Sequence, residues 1–295
     1  MRYSFTVAVI LFICICFHAT GSAAPPPESG SWDLTFEDNF DGSTLDSQKW
    51  FAGYRLGRMD YYARLGFPNE HGRQWQPKPP IAHYLLDNGV LRLRVDREIP
   101  KRDKASTPCV SALTTAVYQF DEKTGQFNDQ IKFQQKYGWF EIRCRVPRGN
   151  GSYTAFWLHQ VGAHNQEYTP EGKRKDLADG VLEIDIFELL ANQIDARLNN
   201  FNVHFTPSAH YTYKMDFDPS VDFHTWALHW EEGQITWYCD GKVAQVYKGP
   251  TPPKQMYVLV AMFQVGGWAG TIDKNMPYPL DFEIDYIRVW KKRAK

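Results

Sequence analysis

Cysteine is scarce, with five residues in a chain of 295. Cys14 and Cys16 fall in the apolar amino-terminal stretch, leaving Cys109, Cys144 and Cys239, an odd set that allows at most one disulfide. That excludes a small disulfide-built scaffold. An excess of one charge is missing too: Lys+Arg 33 against Asp+Glu 34 gives a net charge of -1, and no electrostatic case remains for nucleic acid or an anionic membrane surface as partner. Sustained helical spacing is absent, which excludes a helical bundle. Only one long apolar run occurs, at the amino terminus, and nothing after it could span a membrane.

That run, about Phe5 to Phe17, follows Arg2 and precedes Thr20-Gly21-Ser22-Ala23-Ala24 and Pro25-Pro26-Pro27. It is shorter than the about 20 apolar residues of a spanning helix. Residues 1–24 therefore read as a secretory signal peptide, and the mature chain as secreted or periplasmic. Residues 25–295 can bury a large core, show no linker-like composition, and are expected to form one domain and to act as a monomer.

What is present is a period of two. Short apolar runs alternate with turn residues at Val90 to Val95, Gly138 to Val146, Thr154 to Gln160, Val181 to Leu190, Phe201 to Phe205, Thr225 to Trp230, Ile235 to Asp240, Gln255 to Phe263 and Glu283 to Trp290. The pattern predicts an all-β sandwich. Asp240-Gly241 carries a type I′ hairpin signature, and Asp87-Asn88-Gly89 precedes a strand. In Gly138 to Val146, alternation puts Cys144 among Phe140, Ile142 and Val146, so free core cysteines are expected in preference to a bridge.

Three stretches are irregular. Gly53 to Pro80 mixes Tyr54, Tyr61, Tyr62, Phe67 and Trp75 with Arg55, Arg58, Arg64 and Arg73. His164 to Gly180 is polar, and Val265 to Pro279 is glycine-rich around Trp268. Loops of this length in a compact domain are usually functional or disordered, and the aromatics of the first argue for order. The last two are expected to border a binding cleft.

The chemistry concentrates in Val181 to Leu190, where Glu183, Asp185 and Glu188 interrupt Leu182, Ile184, Ile186 and Leu189, with no Lys or Arg in the segment. Strict alternation puts Glu188 on the face opposite Glu183 and Asp185. A β-bulge at Ile186-Phe187 would return Glu188 to their face and keep Leu189 inward. Four strand steps then separate the glutamate Cα atoms by about 13 Å, and converging side chains bring the carboxyls to roughly 5 to 6 Å, the separation of a retaining glycosidase. Asp185 between them would help hold one glutamate protonated and the other ionised. A solvated acidic face and a cation site are the competing readings. The first normally mixes signs, and the second lacks a nearby histidine or cysteine at ligand spacing.

Glu183-Ile184-Asp185-Ile186-Phe187-Glu188 resembles the bulged E-I-D-x-x-E signature of laminarinase-like members of glycoside hydrolase family 16. Phe36 to Gly42, Tyr137 to Arg143, Thr154 to Leu158, Asn202 to Phe205, Asp222 to Trp226, Trp237 to Gly241 and Ile284 to Trp290 resemble its other strands in order. The resemblance implies a β-jelly roll of two curved antiparallel sheets with a concave substrate cleft. It implies Glu183 as nucleophile, Asp185 as its partner and Glu188 as acid/base, with Trp157 and His204 near them. Trp139, which shares a strand face with Glu141, Arg143 and Arg145, is a candidate sugar platform, as are Trp268 and Trp75. No cofactor is implied for catalysis, but a structural calcium is, at Glu37, Gly89 and Asp285. Asp216, Asp218 and Asp222 lack the pattern of a calcium loop and read as a polar turn.

The implied substrate is an internal bond of a β-linked polysaccharide, β-1,3- or β-1,3/1,4-glucan. Departures from the family pattern at Gln74-Trp75-Gln76-Pro77 and Leu177-Ala178-Asp179-Gly180 change the subsite walls. The arginines between Arg55 and Lys78 suit sulfate or carboxylate groups, so a charged galactan or exopolysaccharide is the alternative. Transglycosylation would use the same residues, and a non-catalytic carbohydrate-binding sandwich would not need the glutamates.

Overall fold

The computed structural model describes residues 26–53, 84–95, 109–121, 123–124, 126–160, 162, 182–264, 267–272 and 275–293. The amino-terminal run, the loop bearing Trp75, and residues 163–181 lie outside them.

Seventeen strands follow one another among the described residues: β1 Trp32–Asp38, β2 Phe51–Ala52, β3 Tyr84–Asp87, β4 Val90–Val95, β5 Cys109–Thr114, β6 Ala116–Asp121, β7 Gln126–Ile131, β8 Gly138–Arg145 and β9 Ser152–Gln160. Then come β10 Glu183–Leu190, β11 Leu198–His204, β12 Ala209–Lys214, β13 His224–Glu231, β14 Gln234–Cys239, β15 Lys242–Lys248, β16 Met256–Gln264 and β17 Leu280–Lys292. The only helical pieces among the described residues are two single 3₁₀ turns, Ala191–Gln193 and Gly267–Ala269. The period of two has its expected consequence: an eight-stranded sheet ordered β15-β14-β13-β8-β17-β4-β3 with β1 also on β17, and a seven-stranded sheet ordered β12-β11-β10-β9-β16-β5-β2. β6 and β7 form a separate hairpin.

The core lies between the two sheets. Phe140, Ile142 and Cys144 of β8 and Trp226, Leu228 and Trp230 of β13 meet Phe156 and Leu158 of β9, Ile184, Ile186, Phe187 and Leu189 of β10, and Phe201 and Val203 of β11. Each such side chain removed from water contributes about 1.5–3 kcal/mol. Cys144 and Cys239 are free and buried in this layer, as alternation predicts for Cys144, and burial pushes both thiols up. Asp240 (φ 47°) and Gly241 (φ 71°) make the turn from β14 to β15, and Asn88 (φ 52°) with Gly89 (φ 71°) the turn from β3 to β4. Two successive positive φ values are what a type I′ turn requires. Gly138 opens β8 at φ 122°, where a Cβ would collide with the Trp290 carbonyl oxygen. No larger residue fits there.

β16 is apolar on both faces because both are covered. Met256, Val258, Val260 and Met262 enter the core, while Tyr257, Leu259, Ala261 and Phe263 join Trp157, Ala155 and Ala112 on the outer face of the seven-stranded sheet. That outer face, with its apolar floor beside β10, carries the site.

Candidate active site

β10 breaks register against both neighbours at one place. Against β11 the pairing jumps between Asp185↔Asn202 and Glu188↔Asn200, and against β9 between Asp185↔Trp157 and Phe187↔Phe156. Ile186 and Phe187 are both buried in the core, so two successive side chains point inward. The extra residue restores Glu188 to the face of Glu183 and Asp185. The cause is local: Ile186 and Phe187 each gain more in the apolar layer than alternation would allow one of them. At the residue where the shift begins, Trp237 Nε1 donates to the Asp185 carbonyl oxygen at 2.8 Å across the core. A buried carbonyl thereby keeps a partner.

Among the described residues, asparagine and histidine side chains lie against Asp185 and Glu188. Asp185, 2% exposed, accepts from Asn202 Nδ2 at 2.9 Å and lies 3.2 Å from His204 Nε2. Asn202 Nδ2 also donates to Glu188 Oε2 at 2.7 Å. Glu183 has His204 Nε2 3.7 Å from one oxygen and His159 Nε2 3.8 Å from the other. Burial, then the nearby charges of Asp185 and Glu183, lift the Glu188 carboxyl to about 9. Burial and the charge of Glu183 lift Asp185 to about 6, against the pull of His204 and Asn202. The hydrogen bond to Asp185 raises His204 in turn. At neutral pH Glu188 holds a proton beside ionisable neighbours, the condition for a general acid.

Among the remaining candidates, Trp157 pairs with Asp185 across β9 and β10 on the same face. Trp268 is 53% exposed and stands edge-on to Tyr153 at 4.9 Å, with Tyr153 stacked on Phe263 at 4.4 Å. Trp75 lies outside the described residues. Trp139 does not join them. It is 1% exposed, on β8 of the other sheet, edge-on to Trp32 and donating its indole N–H to Glu141 at 3.0 Å. Alternation identified its face of β8 correctly, but that face is the outside of the eight-stranded sheet.

The calcium set meets two arginines: Arg288 lies 2.9 Å from one Glu37 oxygen and Arg143 2.5 Å from one Asp285 oxygen, cations that compete with a metal for these carboxylates. Gly89 stands instead beside Asp41. Among the described residues the ligand atoms that gather closely enough for a metal belong to Glu183, Asp185 and His204, within 4.8 Å of one another. Asp218 pairs with Arg148 and caps Ser220, as a polar turn should.

Asn202, His159 and Tyr153 went unnoticed as site residues in the sequence. The signal was there. Asn202 is two residues before His204 and His159 two after Trp157, each on the same strand face as its neighbour.

Comparison with known proteins adds a separate line of support. The sequence model of glycosyl hydrolases family 16 matches residues 101–288. The chain belongs to this family. Among curated relatives, an endo-1,3-1,4-beta-glycanase of Rhizobium meliloti is 26% identical over 90% of this chain and 49% of its own length. This family 16 chain spans about half the length of the curated relatives it matches. A GlcNAcα1-4Gal-releasing endo-β-galactosidase from Clostridium perfringens superposes with TM-score 0.66 at 23% identity, covering 92% of this chain and 65% of that one. The catalytic domain of an endo-1,3-beta-glucanase (laminarinase) from Thermotoga petrophila RKU-1 superposes with TM-score 0.64 at 21% identity, covering 90% and 100%. The two antiparallel sheets are thus the family's β-jelly roll.

Proposed function

We propose that this family 16 chain is a retaining endo-β-glycosidase that cleaves internal bonds of β-1,3- or β-1,3/1,4-glucan. The observation that carries the reading is the unequal setting of two glutamates on one strand face: Glu188 held protonated by burial and by the charges of Asp185 and Glu183, and Glu183 flanked by two histidines. Glu188 gives its proton to the glycosidic oxygen as the bond to the anomeric carbon breaks, and Glu183 attacks that carbon to form a glycosyl-enzyme. Glu188, now ionised, takes a proton from water, which displaces Glu183 and returns both residues to their starting states. Asp185 and His204 hold the nucleophile's side of the site. No cofactor enters these steps. Trp268, exposed beside the half-buried Tyr153, supplies an aromatic face for a sugar ring, and the buried Trp157 belongs to the apolar floor next to Asp185.

The relatives named as a glucan endo-1,3-beta-glucosidase in Niallia circulans and a beta-glucanase in Acetivibrio thermocellus support glucan over galactan. Residues 25–295 act as one catalytic domain after removal of 1–24, outside the cell and as a monomer. No helix among the described residues is long and apolar enough to cross a membrane. The test is release of reducing sugar from laminarin, lichenan, agarose, porphyran and carrageenan. Release from laminarin or lichenan is expected. Release from the galactans alone would overturn the glucan assignment, and full activity in Glu183→Gln or Glu188→Gln would overturn the mechanism.

A further inference from the structure

Asn202 stands opposite Asp185 on β11 and is 7% exposed. Its Nδ2 donates to Asp185 Oδ2 at 2.9 Å and to Glu188 Oε2 at 2.7 Å. A carboxamide has two protons on nitrogen and only acceptor capacity on oxygen. Both protons being directed to acids, Oδ1 turns the other way, toward the edge strand β12, where His210 Nδ1 lies 2.9 Å from it. Because Oδ1 can only accept, the His210 proton belongs on Nδ1.

This contact decides between two orientations of the amide. Rotated by half a turn, Asn202 would present Oδ1 to the acids, and a protonated Glu188 could donate to it, turning its proton away from a leaving group. Rotation would also set Nδ2 against His210 Nδ1, a contact that is donor on donor unless the ring proton moves to Nε2. The titratable groups around the pair are Glu183 and Asp185 on β10, His159 on β9, His204 on β11 with its ring 5.6 Å from that of His210, and His210 itself.

We propose that His210 is a positioning residue for the acid: by holding Oδ1 of Asn202 it keeps both amide protons on the carboxyls, makes Glu188 Oε2 an acceptor, and leaves the acid proton on Oε1 for the leaving-group oxygen. The proposal rests on the reading of Glu188 as acid/base. It goes beyond that reading by assigning which oxygen carries the proton and which residue on a neighbouring strand decides it.

The experiment compares wild type, His210→Ala and His210→Asn on two substrates. Lichenan needs a protonated leaving group, whereas the burst of dinitrophenolate from a dinitrophenyl β-laminaribioside does not. His210→Ala should slow lichenan turnover about tenfold, as expected for one lost hydrogen bond to the acid's partner, and leave the burst rate unchanged. His210→Asn, whose amide nitrogen is bonded to Cγ as Nδ1 is in histidine, should restore lichenan turnover. Equal losses on both substrates, no loss on either, or no restoration by asparagine would overturn the proposal. Nitrogen NMR of neutral His210 supplies a readout without turnover: the Nδ1–H tautomer is expected, and Nε2–H overturns the relay. A wild-type protein inert toward both substrates would refute the glycosidase reading, while the tautomer would still decide the relay.

Discussion

The outer faces of the two sheets both carry rows of acids, and they treat them in opposite ways. On the eight-stranded sheet, Glu283 lies between Arg92 at 3.1 Å and Arg145 at 2.6 Å, Asp281 meets Arg94 at 2.7 Å, Asp285 meets Arg143 and Glu37 meets Arg288. Cross-strand pairs of opposite sign are ordinary sheet stabilisation. On the seven-stranded sheet, Asp185 and Glu188 receive an asparagine and a histidine instead, inside a wall of aromatics. The asparagine satisfies hydrogen bonds without cancelling charge, and the histidine offsets only part of the rise of Asp185. Burial and mutual repulsion are therefore left to raise Glu188 to about 9. Acids become chemical groups here because β11 sets an asparagine and a histidine against Asp185 and Glu188 where the other sheet sets arginines.

The largest test of this contrast removes the acids themselves. Glu183→Gln should lower glucan turnover by at least about 10³-fold and Glu188→Gln by about 10²–10⁴-fold, with binding of an unhydrolysed oligosaccharide retained in calorimetry. Next is the neutral partner: Asn202→Ala takes one donor from each acid, so both carboxyls should rise further. The alkaline limb of the pH–rate profile, set by the Glu188 proton, should move up and turnover fall about ten- to a hundredfold.

A third test reads stability. The carboxyl of Glu188 rises from 4.5 to about 9 on folding, so between those values the folded chain holds a proton that the unfolded chain has released. Stability from this group is complete below 4.5 and lost as pH climbs through about 9. Asp185 acts in the same direction between 3.8 and about 6. Glu188→Gln removes the larger slope, and thermal melts should show its Tm gaining on wild type from about pH 5 to about pH 9. The smallest effect belongs to the other sheet. Glu283→Gln, far from the chemistry, should cost about 1 kcal/mol in denaturant titration and leave turnover unchanged.

Much of this was readable beforehand. The strand period gave the sandwich and most of the strands named from it, and the three acids demanded a bulge that the pairing of β10 contains at Asp185 to Glu188. Trp139 was misread because alternation assigns a residue to a face of its strand and says nothing about which sheet that strand enters. The arginine partners of Glu37 and Asp285 were illegible for a related reason: each lies on a different strand, brought alongside by pairing. Asn202 and His159 could have been found by extending the same alternation two residues from His204 and Trp157.

The chain's own order of residues determined that Glu183, Asp185 and Glu188 would sit on one strand, because spacing along a strand fixes face once the apolar residues claim the core. Which neighbours those acids would meet was decided only by the tertiary pairing of β10 with β9 and β11, and of β11 with β12. Electrostatics depends on distances through space, and strands remote in sequence set those distances.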